Sequence, residues 1–176
     1  MARAVTDTRT RAIALAGLTA VVVVILDQAA KALVRRAIPA TQARDVLGGV
    51  LRLVHVENHG VAFGRFSGNA LIVGLLVALA LVALVAYFAT HLDTPLVWLP
   101  TGMLIGGALG NVVDRLTLGP VTDFIKVPHW PAFNLADISI TAGVVILLIV
   151  VERDARRRER REAGAVEAGH GPADRA

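Results

Sequence analysis

The side chains able to carry chemistry in this 176-residue chain are oxygen and nitrogen bearers, because it contains no cysteine. That excludes a thiolate nucleophile, a disulfide framework, a zinc–thiolate site and an iron–sulfur cluster. No serine–histidine constellation stands out, and the spacing of His55, His59 and His129 matches no standard metal site. Carboxylates remain. Asp27, Asp114, Asp123 and Asp137 lie within or beside apolar segments, accompanied by Asn58, Asn111, Asn134, Lys31 and Arg115. Two neighbouring carboxylates can work on a water molecule: one, ionised, takes its proton while the other, protonated, polarises a carbonyl. Like charges a few Å apart enforce that division. Asp123 and Asp137 are the candidate pair, and helix caps or ion pairs with Arg115 are the alternatives these residue types leave open.

The elements that must hold them are membrane helices. The chain is 55% hydrophobic and 18% charged with a mean hydropathy of +0.63, a balance that excludes a soluble enzyme and a disordered chain. A spanning helix needs roughly 20 mostly apolar residues. Four segments meet or approach that: 12–34, with Asp27 and Lys31 in its second half; 70–88, uncharged; 96–113, interrupted by Pro100 and rich in glycine; and 133–151, apolar apart from Asn134, Asp137 and a few hydroxyls. The expected fold is an all-α integral membrane protein with four transmembrane helices over residues 1–151 and a charged cytoplasmic tail over 152–176, a frayed helical extension running into disorder. The basic start of the first segment also fits a cleavable signal peptide. However, Asp27, Lys31, Arg35 and Arg36 follow it where a small-residue cleavage site would stand.

Arg3, Arg9 and Arg11 precede the first span and a dense arginine cluster, Arg153 to Arg161, follows the fourth, which places both termini in the cytoplasm. Successive spans alternate in direction. The end of span one, the loop 36–69, the end of span three, the loop 115–132 and the start of span four therefore share one side, whichever way the chain is oriented. The unusual polar residues collect on that side. At about 1.5 Å of rise per residue, Asp137 lies roughly one helical turn below the surface, where water reaches it.

Local patterns fill in the rest. Val50 to Val56 is rich in β-branched residues and Asn58-His59-Gly60 reads as a turn, so a small β element is expected between spans one and two. Asp27 and Lys31, four residues apart on one helix face, can neutralise each other. Asp114 with Arg115 is expected to form a salt-bridged helix terminus. Gly102, Gly106 and Gly110 lay bare backbone along one face of span three for close packing within the chain. Trp98 and Trp130 are interfacial anchors. The arginine cluster is a topological determinant beside anionic lipid rather than a nucleic-acid site.

Four segments, in order, resemble the motifs of bacterial lipoprotein signal peptidase, also called signal peptidase II. They are Asp27-Gln28-Ala29-Ala30-Lys31; Asn58-His59-Gly60-Val61-Ala62-Phe63; the run from Gly106 through Asn111, Asp114 and Arg115 to Val121-Thr122-Asp123-Phe124-Ile125; and Phe133-Asn134-Leu135-Ala136-Asp137. The resemblance covers about residues 20 to 145. It implies a four-span aspartic protease of the bacterial cytoplasmic membrane, with Asp123 and Asp137 as the catalytic pair at the extracytoplasmic face. Asn111, Asp114, Arg115 and Asn134 match residues supporting that pair, and Asn58 matches a residue near the substrate. The implied partners are prolipoprotein signal peptides bearing a diacylglyceryl-cysteine, and membrane lipid. No metal or other cofactor is implied, and a monomer is expected. Two rivals from other classes are a proton-coupled transporter, which predicts ionisable groups strung through the membrane's depth, and a non-catalytic scaffold, which leaves the outer aspartates unexplained.

Overall fold

The computed structural model describes residues 2–40, 42–46, 48–59, 79 and 82–169, with side chains from 7 to 164 within those ranges. In chain order they form helix α1 (Ala2–Ala37), strands β1 (Ala43–Val46) and β2 (Leu51–Asn58), a helical stretch α2 (82–90), helix α3 (Trp98–Thr117), strand β3 (Val121–Lys126) and helix α4 (Leu135–Gly169). Most of the second expected span, and Gly60 to Phe63, lie outside the described residues.

The packing of the helices reverses the pattern of a water-soluble bundle. On α1 the buried stripe is small, Ala12, Ala16 and Ala20, while Leu18 and Leu33 are 60% and 65% exposed. Opposite that stripe, a Cβ on Gly102 of α3 would come within 2.6 Å of the Ala16 carbonyl, and one on Gly106 within 2.7 Å of that of Ala20. The glycines thus let the two backbones touch, and the large apolar side chains face outward as they would toward lipid. Gly107 belongs to a second face of α3: its Cβ would come within 2.6 Å of the Ala136 carbonyl on α4. Helix α3 is therefore wedged between α1 and α4. Pro100 does not interrupt it, because the helix begins at Trp98 and proline in a first turn forgoes no intrahelical bond. Among the described residues two helical stretches, Asp7–Ala37 and Leu135–Gly164, are long and apolar enough to cross a membrane.

The expected β element is present, as part of a three-stranded sheet in the order β1-β2-β3. β1 and β2 pair antiparallel, with Val46 opposite Leu51, across a turn in which Gly48 and Gly49 have φ of +67° and +86°. The reversal thus falls before Leu51, where two glycines adopt left-handed conformations at no steric cost, and Asn58 ends a strand. A third strand comes from the loop after α3, where sequence reading placed no strand: β3 pairs antiparallel with β2, putting Asp123 opposite Val56 and Val121 opposite Asn58. Val34, Ile38 and Phe124 form an apolar cluster with Leu53 and Ile125 packed against it, seating the sheet on the end of α1.

At the C-terminus, residues 152–169 continue α4, in keeping with the helical extension expected there. Arg156 pairs with Glu152 at 2.6 Å and Arg158 with Asp154 at 3.0 Å, both at the i,i+4 spacing that supports a charged, exposed helix.

Candidate active site

The sheet and the three long helices converge on a set of polar side chains that are buried together. The first residue to place is Asn134, which is fully buried and precedes α4. Its Oδ1 accepts from the Asp137 backbone N–H at 3.0 Å, and its own backbone N–H donates to Asp137 Oδ2 at 3.1 Å. This reciprocal capping box satisfies two orphan donors at the helix start and fixes the Asp137 rotamer. The Asn134 amide Nδ2 then donates to Asp123 Oδ1 at 2.7 Å and to Asn111 Oδ1 at 3.1 Å. Asn111 in turn donates to Asp137 Oδ1 at 3.0 Å, and Asn58, at the end of β2, donates to Asp123 Oδ2 at 2.9 Å. The two candidate aspartates are thus held around one asparagine.

Backbone pairing brings them there. Phe133 bridges back to Ile125 of β3 through bonds of 3.0 and 2.8 Å in opposite directions, which closes the loop between them and delivers Asn134 beside Asp123.

A second layer locks this arrangement to α1. Lys31, fully buried, pairs with Asp27 at 2.7 Å and Asp114 at 3.2 Å and donates to Asn111 Oδ1 at 3.0 Å, so its three protons have three acceptors. Asp27 Oδ1 accepts from the Ala136 N–H at 2.9 Å, and Asp114 Oδ2 accepts from the Thr122 N–H at 2.9 Å. A Cβ on Gly110 would stand 2.7 Å from Asp27 Oδ2, so the absence of a side chain there is what admits the carboxylate.

Asp114 was expected to pair with Arg115. Among the described residues its ionic partner is Lys31 instead, because the aspartate points into the bundle, while the exposed Arg115 donates to the Asn111 carbonyl at 3.4 Å. Eight of the nine sequence-derived site residues therefore share one connected network, and Arg115 touches it through backbone alone. Sequence reading assigned no role to Gln28, whose amide bonds Asp114 Oδ1 and the Gly110 carbonyl, both at 2.9 Å, nor to Thr122, whose hydroxyl accepts from Arg35 at 3.0 Å. Gln28 stands three residues before Lys31, so helical periodicity places both on the same face.

The carboxylates differ in their surroundings. Asp123 is 2% exposed, and burial first of all pushes its carboxyl up to about 6, with the charge of Asp137 adding to the rise and the Asn58 and Asn134 amides opposing it. Asp137 is half-buried and borders an open groove of about 390 Å³, lined otherwise by Trp130, Phe133, Ile138, Thr141 and Ala142. One carboxyl whose proton affinity is raised by burial beside another that faces an apolar groove is an arrangement suited to acid–base work on a water molecule. Among the described residues no group of three His, Cys, Asp or Glu side chains is placed to hold a metal ion.

A family model described as Signal peptidase (SPase) II matches residues 19–152. The chain belongs to the signal peptidase II family. Lipoprotein signal peptidase from Syntrophomonas wolfei is 43% identical over 138 residues, covering 78% of this chain and 93% of that protein. The protein of the same name from Moorella thermoacetica is 40% identical, covering 74% and 87%. A bacterial membrane enzyme solved by the in meso method at 2.3 Å resolution superposes with a TM-score of 0.72 at 32% identity, over 81% of this chain and 90% of that one. The matched region of this signal peptidase II chain takes in the whole network from Asp27 to Asp137 and stops where the arginine-rich part of α4 begins.

Proposed function

We propose that this chain is an aspartic endopeptidase of the bacterial cytoplasmic membrane that removes the signal peptide from prolipoproteins, cutting before the diacylglyceryl-modified cysteine. Four spans within residues 1–151 hold it, with both termini in the cytoplasm and the site at the extracytoplasmic face. Asp123 and Asp137 are the catalytic pair, and Asn58, Asn111, Asn134, Asp27, Lys31 and Asp114 support them. The observation that carries this reading is the bracketing of both carboxylates by Asn134 beside an apolar groove. Family membership supports the substrate, since the relatives are named as lipoprotein signal peptidases.

The mechanism follows from the asymmetry of the pair. Asp123, whose carboxyl is pushed up to about 6 by burial, acts in its protonated form and polarises the scissile carbonyl. Asp137, open to the groove, takes a proton from water as the water attacks. The proton on Asp123 then passes to the leaving amine. The apolar wall of Phe133, Ile138 and Ala142 receives apolar side chains next to the scissile bond. The two acyl chains of the substrate, each CH₂ adding roughly 0.8 kcal/mol of membrane affinity, keep that bond at interfacial depth.

Purified full-length protein in detergent should cleave a lipidated prolipoprotein peptide at one bond, before the modified cysteine, with no added metal or nucleotide. Failure of folded protein to do so would refute the activity. Equal rates on lipidated and unlipidated peptide would refute the part assigned to the acyl chains.

A further inference from the structure

The end of the bundle remote from Asp137 holds a second concavity, of about 370 Å³, between the turn that follows α2 and the arginine-rich part of α4. Thr90, His91 and Asp93 line one side, and Asp154, Arg157, Arg158 and Arg161 line the other. Its charges do not cancel. Asp93 is already engaged by Arg9 of α1 at 3.0 Å, and Asp154 by Arg158 at 3.0 Å. Arg157 and Arg161, one turn apart and both exposed, have no acidic partner within salt-bridge distance among the described residues. Two guanidinium forks facing one cleft are matched geometrically to the oxygens of a phosphate group.

From Asp137 to Asp154 the helix rises roughly 25 Å, close to the thickness of a bilayer's hydrocarbon core. Leu148, Ile149 and Val151, all exposed, lie just before the cleft on the same helix, so it opens where apolar surface gives way to charge.

We infer that this cleft binds the phosphodiester headgroup of an anionic phospholipid, with Arg157 and Arg161 as its principal contacts and the Arg9–Asp93 pair bracing the opposite wall. The choice of a lipid over a free phosphate comes from the position of the cleft at the edge of the apolar belt. Its assignment to the cytoplasmic leaflet rests on the membrane orientation proposed above. The binding itself does not.

The test uses the full chain in uncharged detergent micelles, with thermal unfolding followed as phosphatidylglycerol, phosphatidylcholine or inorganic phosphate is added. Phosphatidylglycerol should raise the midpoint by a few degrees, and the other two should not. In the double variant Arg157→Gln/Arg161→Gln the shift should fall to about half or less, whereas Arg153→Gln/Arg160→Gln, which removes the same charge outside the cleft, should retain it. Native mass spectrometry of the same proteins should show the corresponding loss of retained phosphatidylglycerol, which covers a variant whose midpoint has moved for other reasons. An undiminished shift in the Arg157/Arg161 variant, or an equal loss in the Arg153/Arg160 variant, overturns the site. An equal response to inorganic phosphate overturns the lipid assignment. Peptidase activity measured alongside separates failure of this site from failure of the proposed catalytic function.

Discussion

Asp123 and Asp137 each accept hydrogen bonds on both carboxylate oxygens, of which an amide side chain of nearly the same shape keeps one, so Asp123→Asn and Asp137→Asn should each abolish turnover in protein that still folds and inserts. If the pair acts as a unit, the double variant should resemble either single one, and cleavage of the lipidated peptide is the readout. Retained activity in well-folded single-variant protein removes that residue from the pair. The pH profile carries a second expectation. The proposed mechanism requires Asp123 protonated, so kcat/KM should fall as pH rises through about 6, the level to which burial lifts this carboxyl. The Asn58 amide donates to Asp123 Oδ2 and favours its ionised form, so Asn58→Ala should move the descending limb to higher pH. An unmoved limb would mean that Asn58 does not set the proton affinity of Asp123.

The helices are joined by charge at one end and by bare backbone along their length, and both kinds of joint can be tested. Lys31 serves two carboxylates, Asp27 and Asp114, so the two sides of this cluster are not equivalent. Asp27→Asn leaves Lys31 paired with Asp114 and should reduce stability or activity without abolishing either. Lys31→Met strands two buried carboxylates and should cost about 3–5 kcal/mol, visible as a large fall in the thermal midpoint. If the two variants lose stability equally, the asymmetry is wrong. Gly107→Ala would push a methyl to within 2.6 Å of the Ala136 carbonyl, at the turn that carries Asp137, and should cost about 1–3 kcal/mol along with activity. Gly164→Ala, with nothing within 4 Å, should be neutral or stabilise the helix by roughly 0.5–1 kcal/mol.

The whole molecule has two polar ends separated by an apolar belt: the aspartate network at one, the arginine-lined cleft at the other. Its orientation can be read chemically, because a chain without cysteine accepts a single introduced thiol cleanly. Glu57→Cys, exposed on β2, should react with a membrane-impermeant maleimide added to intact cells, and Glu162→Cys, exposed on α4, should react only after the membrane is opened. The opposite labelling would mean that the orientation is inverted.

Much of the site is legible in the chain because its governing rules are local. Helical periodicity alone pairs Asp27 with Lys31, and the order of the apolar segments gathers the polar residues at one end. The Asn134-to-Asp137 spacing is that of a helix start, an arrangement made within four residues. What folding adds is long-range. The partner of Asp114 is Lys31, eighty-three positions away, because the direction in which the aspartate points is set by how α3 lies against α1. β3 exists as a strand because β2 offers it an unpaired edge, and a stretch bounded by Pro120 and Pro128 does not announce that pairing. The glycine stripe predicts close packing, but whether a given glycine faces α1 or α4 depends on the rotation of a helix that touches both. Most decisive is the difference between two chemically identical carboxylic acids: the sequence supplies both, and the packed chain buries Asp123, which pushes its carboxyl up to about 6, while Asp137 is left open to the groove.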